Sequence, residues 1–329
     1  MKVLFLNQDE ISRLLTVADT IKCVEDAFRE KGLGHTQMPP KVYIYYKKHD
    51  GDLRIMPSYM EGVEKSGVKV VNVHPKNPTS KGLPTVMGVI ILIDPCTGAP
   101  IAIMDGTLIT AARTGGASGV ATKYLARKGS RVLSLVGAGR QAINQLECIA
   151  EAVPITDVKV YDRYMEIAKR FVNNVESCFN FSFTVATNIE ACVKDSDIVS
   201  TITPSRNPII KDEWVKDGIH INAIGADAAG KQELDPKILK RAKIVVDDWE
   251  QACHSGEVNV PLSKGNLSKG DIYGELSEIV CGTRRGRESD KEITVFDSTG
   301  LSLQDVTTAW MVYEKAKKKG IGTWLTLFR

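Results

Sequence analysis

Apolar positions along the chain follow three successive textures. Near the N-terminus Ile21, Val24, Ala27 and Phe28 recur at the spacing of one helix face, with Asp19 as the expected cap and Gly32 and Gly34 ending the pattern. Residues 41–93 then read as strands, at 42–46, 53–56, 68–73 and 86–93, with Gly51, Gly62, Pro75, Pro78 and Pro84 in the turns between them. Beyond Ala111, short runs that are apolar throughout (132–136, 158–161, 198–202, 219–224, 244–246, 293–296) alternate with amphipathic stretches such as 142–152 and 167–175. Strands apolar on both faces and joined by helices form a parallel sheet covered on two sides. The expected fold is therefore α/β: a doubly wound parallel sheet over residues 114–300, and a separate α+β domain over 1–113. Residues 303–319 form a closing helix stopped at Gly320, and 301–329 is expected to pack back on the first domain.

Composition narrows the function classes. The chain has 329 residues, and 43 basic against 40 acidic side chains give a net charge of +3. So balanced a charge builds no strong field toward nucleic acid or anionic lipid, and a small-molecule partner is expected instead. The apolar stretch at residues 1–6 is too short for a signal peptide or a membrane span, which makes the cytoplasm the expected compartment. Seven scattered cysteines without a C-x-x-C pair, and five histidines without ligand spacing, predict reduced thiols and no metal site. No G-x-S-x-G elbow is present to support hydrolase chemistry.

The strongest chemical signal is Gly137-Ala138-Gly139-Arg140-Gln141-Ala142, which follows the 132–136 strand and opens a helix. This is the G-x-G-x-x-A form of the Rossmann dinucleotide fingerprint. Gly137 permits the tight turn, Gly139 admits a pyrophosphate close to the backbone, and Ala142 lets helix and strand pack closely. The second strand ends in Asp162, whose carboxylate suits the ribose hydroxyls and repels a 2′-phosphate, so NAD is favoured over NADP. Arg163 beside it pulls the other way. Arg140, and Thr203 after the 198–202 strand, complete the cofactor candidates.

Several charges fall where charge is expensive. Alternation along 67–73 puts Lys69 on the face of Val71 and Val73. It reads either as a lysine reaching out to solvent or as a desolvated amine suited to proton transfer. Arg54 lies inside an apolar strand, and Arg113-Thr114-Gly115-Gly116 lies at the domain junction. There Arg113 either bridges the domains or holds a carboxylate, and neighbouring amides could reach phosphate. Asp227 closes the run that starts at Ile219, either capping a helix or facing a ligand at the carboxyl edge of the sheet.

Together these segments resemble the ornithine cyclodeaminase and mu-crystallin family over nearly the whole chain. The resemblance is carried by residues 38–41, 54–57, 69–75, 82–87, 112–115, 137–142, 222–227 and 296–300. It implies a homodimer built through the N-terminal, substrate-binding domain, with the active site in a cleft against an NAD-binding Rossmann domain. It implies that Lys69 is an acid or base, that Arg113 holds the substrate carboxylate, that Asp227 handles the amino group, and that Thr85, Thr114 and Gln141 contact cofactor. Cyclodeaminases of this family carry a glutamate where this chain has Arg54, and an arginine where it has Lys41. Arg54, Lys69 and the Pro39-Pro40-Lys41 run most resemble the family's alanine dehydrogenases. The expected activity is reversible oxidative deamination of alanine, and the expected ligand an amino, keto or imino acid. Cyclic imino-acid (pyrroline-2-carboxylate or ketimine) reduction, ornithine cyclodeamination, and NAD(P)H binding with little turnover stand as alternatives.

Overall fold

The computed structural model describes residues 1–327. The chain divides into two units, one formed by Met1–Arg113 and the segment from Leu301 onward, the other by Thr114–Gly300. The division falls inside a single helix, Thr107–Leu125.

In the first unit, numbering strands along the chain, β1 (Lys2–Leu6), β2 (Thr36–Gln37), β3 (Val42–Tyr46), β4 (Gly51–Met60), β5 (Lys65–Val73), β6 (Val86–Ile93), β7 (Pro100–Asp105) and β16 (Thr323–Thr326) form one sheet. Its order is β16-β1-β7-β6-β5-β4-β2, with β3 also on β4. Only the β1–β7 pair is parallel. Helix Ser302–Lys319 packs on this sheet, where Val306, Ala309, Val312 and Ala316 share a core with Leu4, Leu6, Ile90, Leu92 and Met104. Fully burying each of the valine, leucine, isoleucine and methionine side chains stabilises by roughly 1.5–3 kcal/mol. Gly320, at φ 64°, ends the helix as its sequence predicts.

Local readings needed correction at three places. Asp19 is not the cap of the first long helix, Val17–Gly32: Thr16 is, its hydroxyl accepting from the Asp19 amide at 3.3 Å. In this sheet β1, β2, β7 and β16 carried no local prediction and are specified by pairing, β1 with β16 and β7, and β2 with β4. Finally, the amides of residues 114–116, read as able to reach phosphate, lie inside helix Thr107–Leu125, where i→i−4 pairing uses them.

The second unit holds a fully parallel sheet of β8 (Val132–Val136), β9 (Asp157–Tyr161), β10 (Ser182–Val185), β11 (Ile198–Thr201), β12 (His220–Ala223), β13 (Lys243–Val246), β14 (Ile272–Glu275) and β15 (Thr294–Asp297). Its order, β10-β9-β8-β11-β12-β15-β13-β14, reverses direction between β8 and β11. Ligands of open α/β sheets gather at the carboxyl edge beside such a switch point, and Gly137 follows β8 there.

Candidate active site

In the first unit the sheet draws two basic side chains onto one acid. Lys69 shares the inner face of β5 with Gly67 and Val71, between Met56 of β4 and Ile90 of β6. Its side chain is 1% exposed, so it does not reach solvent. Nζ lies 2.5 Å from Oδ2 of Asp305, which is fully buried in the first turn of helix Ser302–Lys319. Oδ1 of the same carboxylate accepts from Nε of Arg113 at 2.9 Å, and Gln304 Oε1 accepts from Nη1 of Arg113 at 3.2 Å. Burial above all, then the Arg113 charge, brings the Lys69 ammonium down to about 7 against the opposing pull of Asp305, with Lys41 adding to the downward push. An amine poised there exchanges its proton near neutral pH.

Arg54 on β4 is also buried, but it is held by Asp52 two residues earlier on the same strand. The contacts are Nε to Oδ1 at 2.9 Å and Nη2 to Oδ2 at 3.2 Å, with the guanidinium 5.4 Å from the centre of the Tyr43 ring. Asp52 and Asp305 were not anticipated from the sequence. A period-two reading of residues 52–56 puts Asp52 on the face of Arg54, so that pairing had a local signal; the Asp305 pairing had none. Thr85 lies just before β6, where its carbonyl accepts from the His74 amide at 2.8 Å.

In the second unit the glycine turn has the form its residues demand. Gly137 sits at φ 108°, where a Cβ would meet the Ile202 carbonyl oxygen at 2.9 Å. A Cβ on Gly139 would meet nothing within 4 Å, so the backbone there faces open space. No side chain caps helix Ala142–Ala152, and Oε1 of Gln141 at its start is buried without a hydrogen-bond partner among the described residues. Asp162 at the end of β9 accepts from the Ala138 and Tyr164 amides, each at 3.0 Å, which brings its carboxylate onto the turn. Arg140 is exposed, and exposed Arg163 lies over the Tyr164 ring. A hollow of about 390 Å³ beside the turn is lined by Gly139, Arg140, Ile143, Ile167, Arg170 and Phe171, among others. An open glycine face, an uncapped helix start, an unsatisfied amide oxygen and a carboxylate at the second strand's end fit a dinucleotide.

Thr203 and the Gly225–Asp227 corner are joined by a residue missed in the sequence, Glu233. Its Oε1 accepts from the Thr203 amide (2.8 Å) and hydroxyl (2.6 Å), and Oε2 from the Gly225 amide (2.9 Å). Asp227 caps no helix; it is ion-paired with Lys231. Thr114 is buried, and its carbonyl accepts from Nε2 of Gln145 at 3.4 Å. Among the described residues no His, Cys, Asp and Glu cluster has a metal-binding arrangement.

Glu233 heads a row of fully buried carboxylates: Glu257 accepts from the amides of Glu233 and Leu234, Asp297 from those of Glu257 and Val258, and Asp247 from those of Thr299 and Gly300. Burial, reinforced by Asp247, pushes Asp297 up to about 8, and burial raises Glu257 and Glu233 as well. The folded protein thus keeps protons that the unfolded chain releases from about pH 4 upward, so this contribution to stability is lost as pH rises through about 8. His220, driven down to about 3 by burial and Arg287, tilts stability the opposite way below 6.5. Between pH 6.5, below which His220 opposes it, and pH 7, above which the deprotonated Lys69 opposes it, stability read as melting temperature should therefore fall, at up to about 1.4 kcal/mol per pH unit for each retained proton. Asp297→Asn should flatten that slope. Melting curves that are level for the wild type, or equally steep for the variant, would contradict the assignment.

Three comparisons bear on this geometry. The model of the ornithine cyclodeaminase/mu-crystallin family matches residues 1–320. An alanine dehydrogenase of Archaeoglobus fulgidus is 50% identical, with all of both chains covered. Among solved structures, an archaeal alanine dehydrogenase dimer with bound NAD superposes with a TM-score of 0.96 at 49% identity, covering 100% of each chain. The Thermococcus litoralis Δ1-pyrroline-2-carboxylate reductase in complex with NADH and L-proline gives 0.94 at 41% identity, covering 98% of this chain and 99% of that one.

Proposed function

The chain belongs to the ornithine cyclodeaminase/mu-crystallin family, and from that premise we propose that it is a homodimeric NAD-dependent alanine dehydrogenase, interconverting L-alanine, NAD and water with pyruvate, ammonia and NADH. The observation that carries the reading is the buried Lys69, held on Asp305 beside Arg113 and brought to about 7. NAD, when bound at the Gly137 turn, supplies the acceptor for the hydride that leaves Cα.

The side chains of this chain do the rest. Arg113, oriented by Asp305 and Gln304, presents a fixed edge of its guanidinium to the substrate carboxylate, with Lys41 adding positive charge and Arg54, paired with Asp52, assigned to the same ligand. Lys69 exchanges the proton that moves as the amino group is lost or gained. On the second unit Asp227 handles the amino group, its carboxylate tempered by Lys231. Thr85, Thr114, Gln141, Asp162 and Thr203 are assigned to the cofactor. Support for alanine comes from the 50% identical relative of that name and from the missing cyclodeaminase glutamate at position 54.

Asp52 changes one part of the substrate argument. An unpaired Arg54 would repel the distal amine of ornithine strongly, whereas an Arg54–Asp52 pair repels it weakly. Discrimination against ornithine therefore rests on the lack of a carboxylate to receive that amine. A second reading, reduction of a cyclic imino acid, is favoured by the likeness to the pyrroline-2-carboxylate reductase. The deciding experiment follows NADH oxidation by the purified protein with pyruvate plus ammonia, with pyrroline-2-carboxylate, and proline formation from ornithine. The expected outcome is ammonia-dependent turnover of pyruvate and no proline. Faster turnover of the imino acid than of pyruvate would install the second reading, and catalytic proline formation would overturn both.

A further inference from the structure

We propose that Asp305 is the positioning residue of the first unit's cationic site, one carboxylate clasping the Lys69 ammonium and the Arg113 guanidinium and so setting the protonation of one and the orientation of the other. The inference rests on the dehydrogenase reading for what the site does, and on geometry for how it is built.

Two cations share a single anion, Lys69 on Oδ2 at 2.5 Å and Arg113 on Oδ1 at 2.9 Å, and all three side chains are buried. Drawing charges from water costs several kcal/mol per ion, and a pair closed on itself recovers part of it. This group is not closed, because with Lys69 protonated it carries one positive charge in excess. The Lys41 charge also pushes the Lys69 ammonium down, while Arg54 has a partner in Asp52. A device serving stability alone would balance its charges.

The imbalance has two chemical remedies. Lys69 can release its proton, or an anion can arrive. A substrate carboxylate at Arg113 supplies the second remedy, and its charge favours the protonated lysine, so binding substrate and loading the acid become one event. Asp305 is what makes this adjustable: without it Arg113 and burial would push the Lys69 ammonium down further, and the guanidinium would lose the contact that fixes its plane. The charged groups acting on Lys69 are thus Asp305 from helix Ser302–Lys319, Arg113 from helix Thr107–Leu125, and Lys41 from the segment before β3. The Arg54–Asp52 pair lies on the neighbouring strand β4.

The test compares pH profiles of kcat/KM in the alanine-oxidising and pyruvate-reducing directions for the wild type, Asp305→Asn and Asp305→Glu. In Asp305→Asn the limb that reports Lys69 should move toward lower pH by about one unit or more in both directions, as a shared ionisation requires, and KM for pyruvate should rise about tenfold or more. Asp305→Glu, which keeps the charge, should leave the limb near its wild-type position while disturbing KM. A fall in kcat with unmoved limbs would show a merely structural role and overturn the proposal. If neither variant folds, NMR titration of the wild type decides. The Asp305 carboxyl carbon must shift at the pH at which Lys69 Nζ titrates, and independence of the two signals overturns the proposal. A wild-type protein that shows no ammonia-dependent oxidation of NADH with pyruvate would instead overturn the dehydrogenase reading, so the two failures are distinguishable.

Discussion

Replacing Lys69 by methionine is expected to lower kcat by two to four orders of magnitude while leaving NADH affinity within about twofold of the wild type. The size follows from what general acid–base catalysis contributes, about 10²- to 10⁴-fold. The fold should survive, because methionine fills similar volume on the β5 face and Asp305 keeps its bond to Arg113 at 2.9 Å. That residual contact matters, since removing one member of a buried ion pair is destabilising mainly when the other is left alone. Steady-state kinetics and a fluorescence titration with NADH separate the two effects. Turnover within a factor of about ten of the wild type would remove Lys69 from the mechanism.

Valine at position 139 should do the opposite, leaving the fold intact and removing the cofactor. The Gly139 backbone lies outside the positive-φ region and a Cβ there meets nothing within 4 Å, so the free protein accommodates the side chain. The open face it fills is the one the pyrophosphate needs, and NADH affinity should drop by about 100-fold or more, roughly 3 kcal/mol. Gly137→Val supplies the contrast. At φ 108°, with the Ile202 carbonyl oxygen 2.9 Å from the new Cβ, it should lower the melting temperature as well. Normal NADH affinity in a folded Gly139→Val protein would show that the dinucleotide does not use this turn.

What the chain's own pattern determined is what short-range physics specifies. Strands apolar on both faces, spaced by amphipathic stretches, can be buried only between two helical layers, so the parallel sheet was legible from residues 132–136 onward. The glycine turn was legible because Gly137 takes a backbone conformation that side chains rarely adopt and Gly139 leaves its face open. Lys69 was placed on the Val71 face because alternation along a strand leaves no other choice. Whether it reached solvent or lay buried and paired was not decided by that alternation, since both readings share the same pattern.

The tertiary structure decided the partners. In the pattern of its own helix Asp305 is an ordinary first-turn acid, of the kind the helix dipole favours at any N-terminus. Only the packing of helix Ser302–Lys319 on the sheet brings its carboxylate to Lys69 and Arg113. Glu233 is likewise silent in sequence, because what it holds are the backbone amides of Thr203 and Gly225, and amides carry no residue-specific signal. The same limit applies to residues 114–116, whose amides the sequence left open to phosphate. Small residues after an arginine suit a loop or a closely packed helix equally, and a Cβ on Gly115 would meet the Asn144 carbonyl oxygen at 2.3 Å. Local sequence sets which faces must be buried, but the desolvation and pairing of a charge depend on which distant elements cover it, and only the assembled fold determines that.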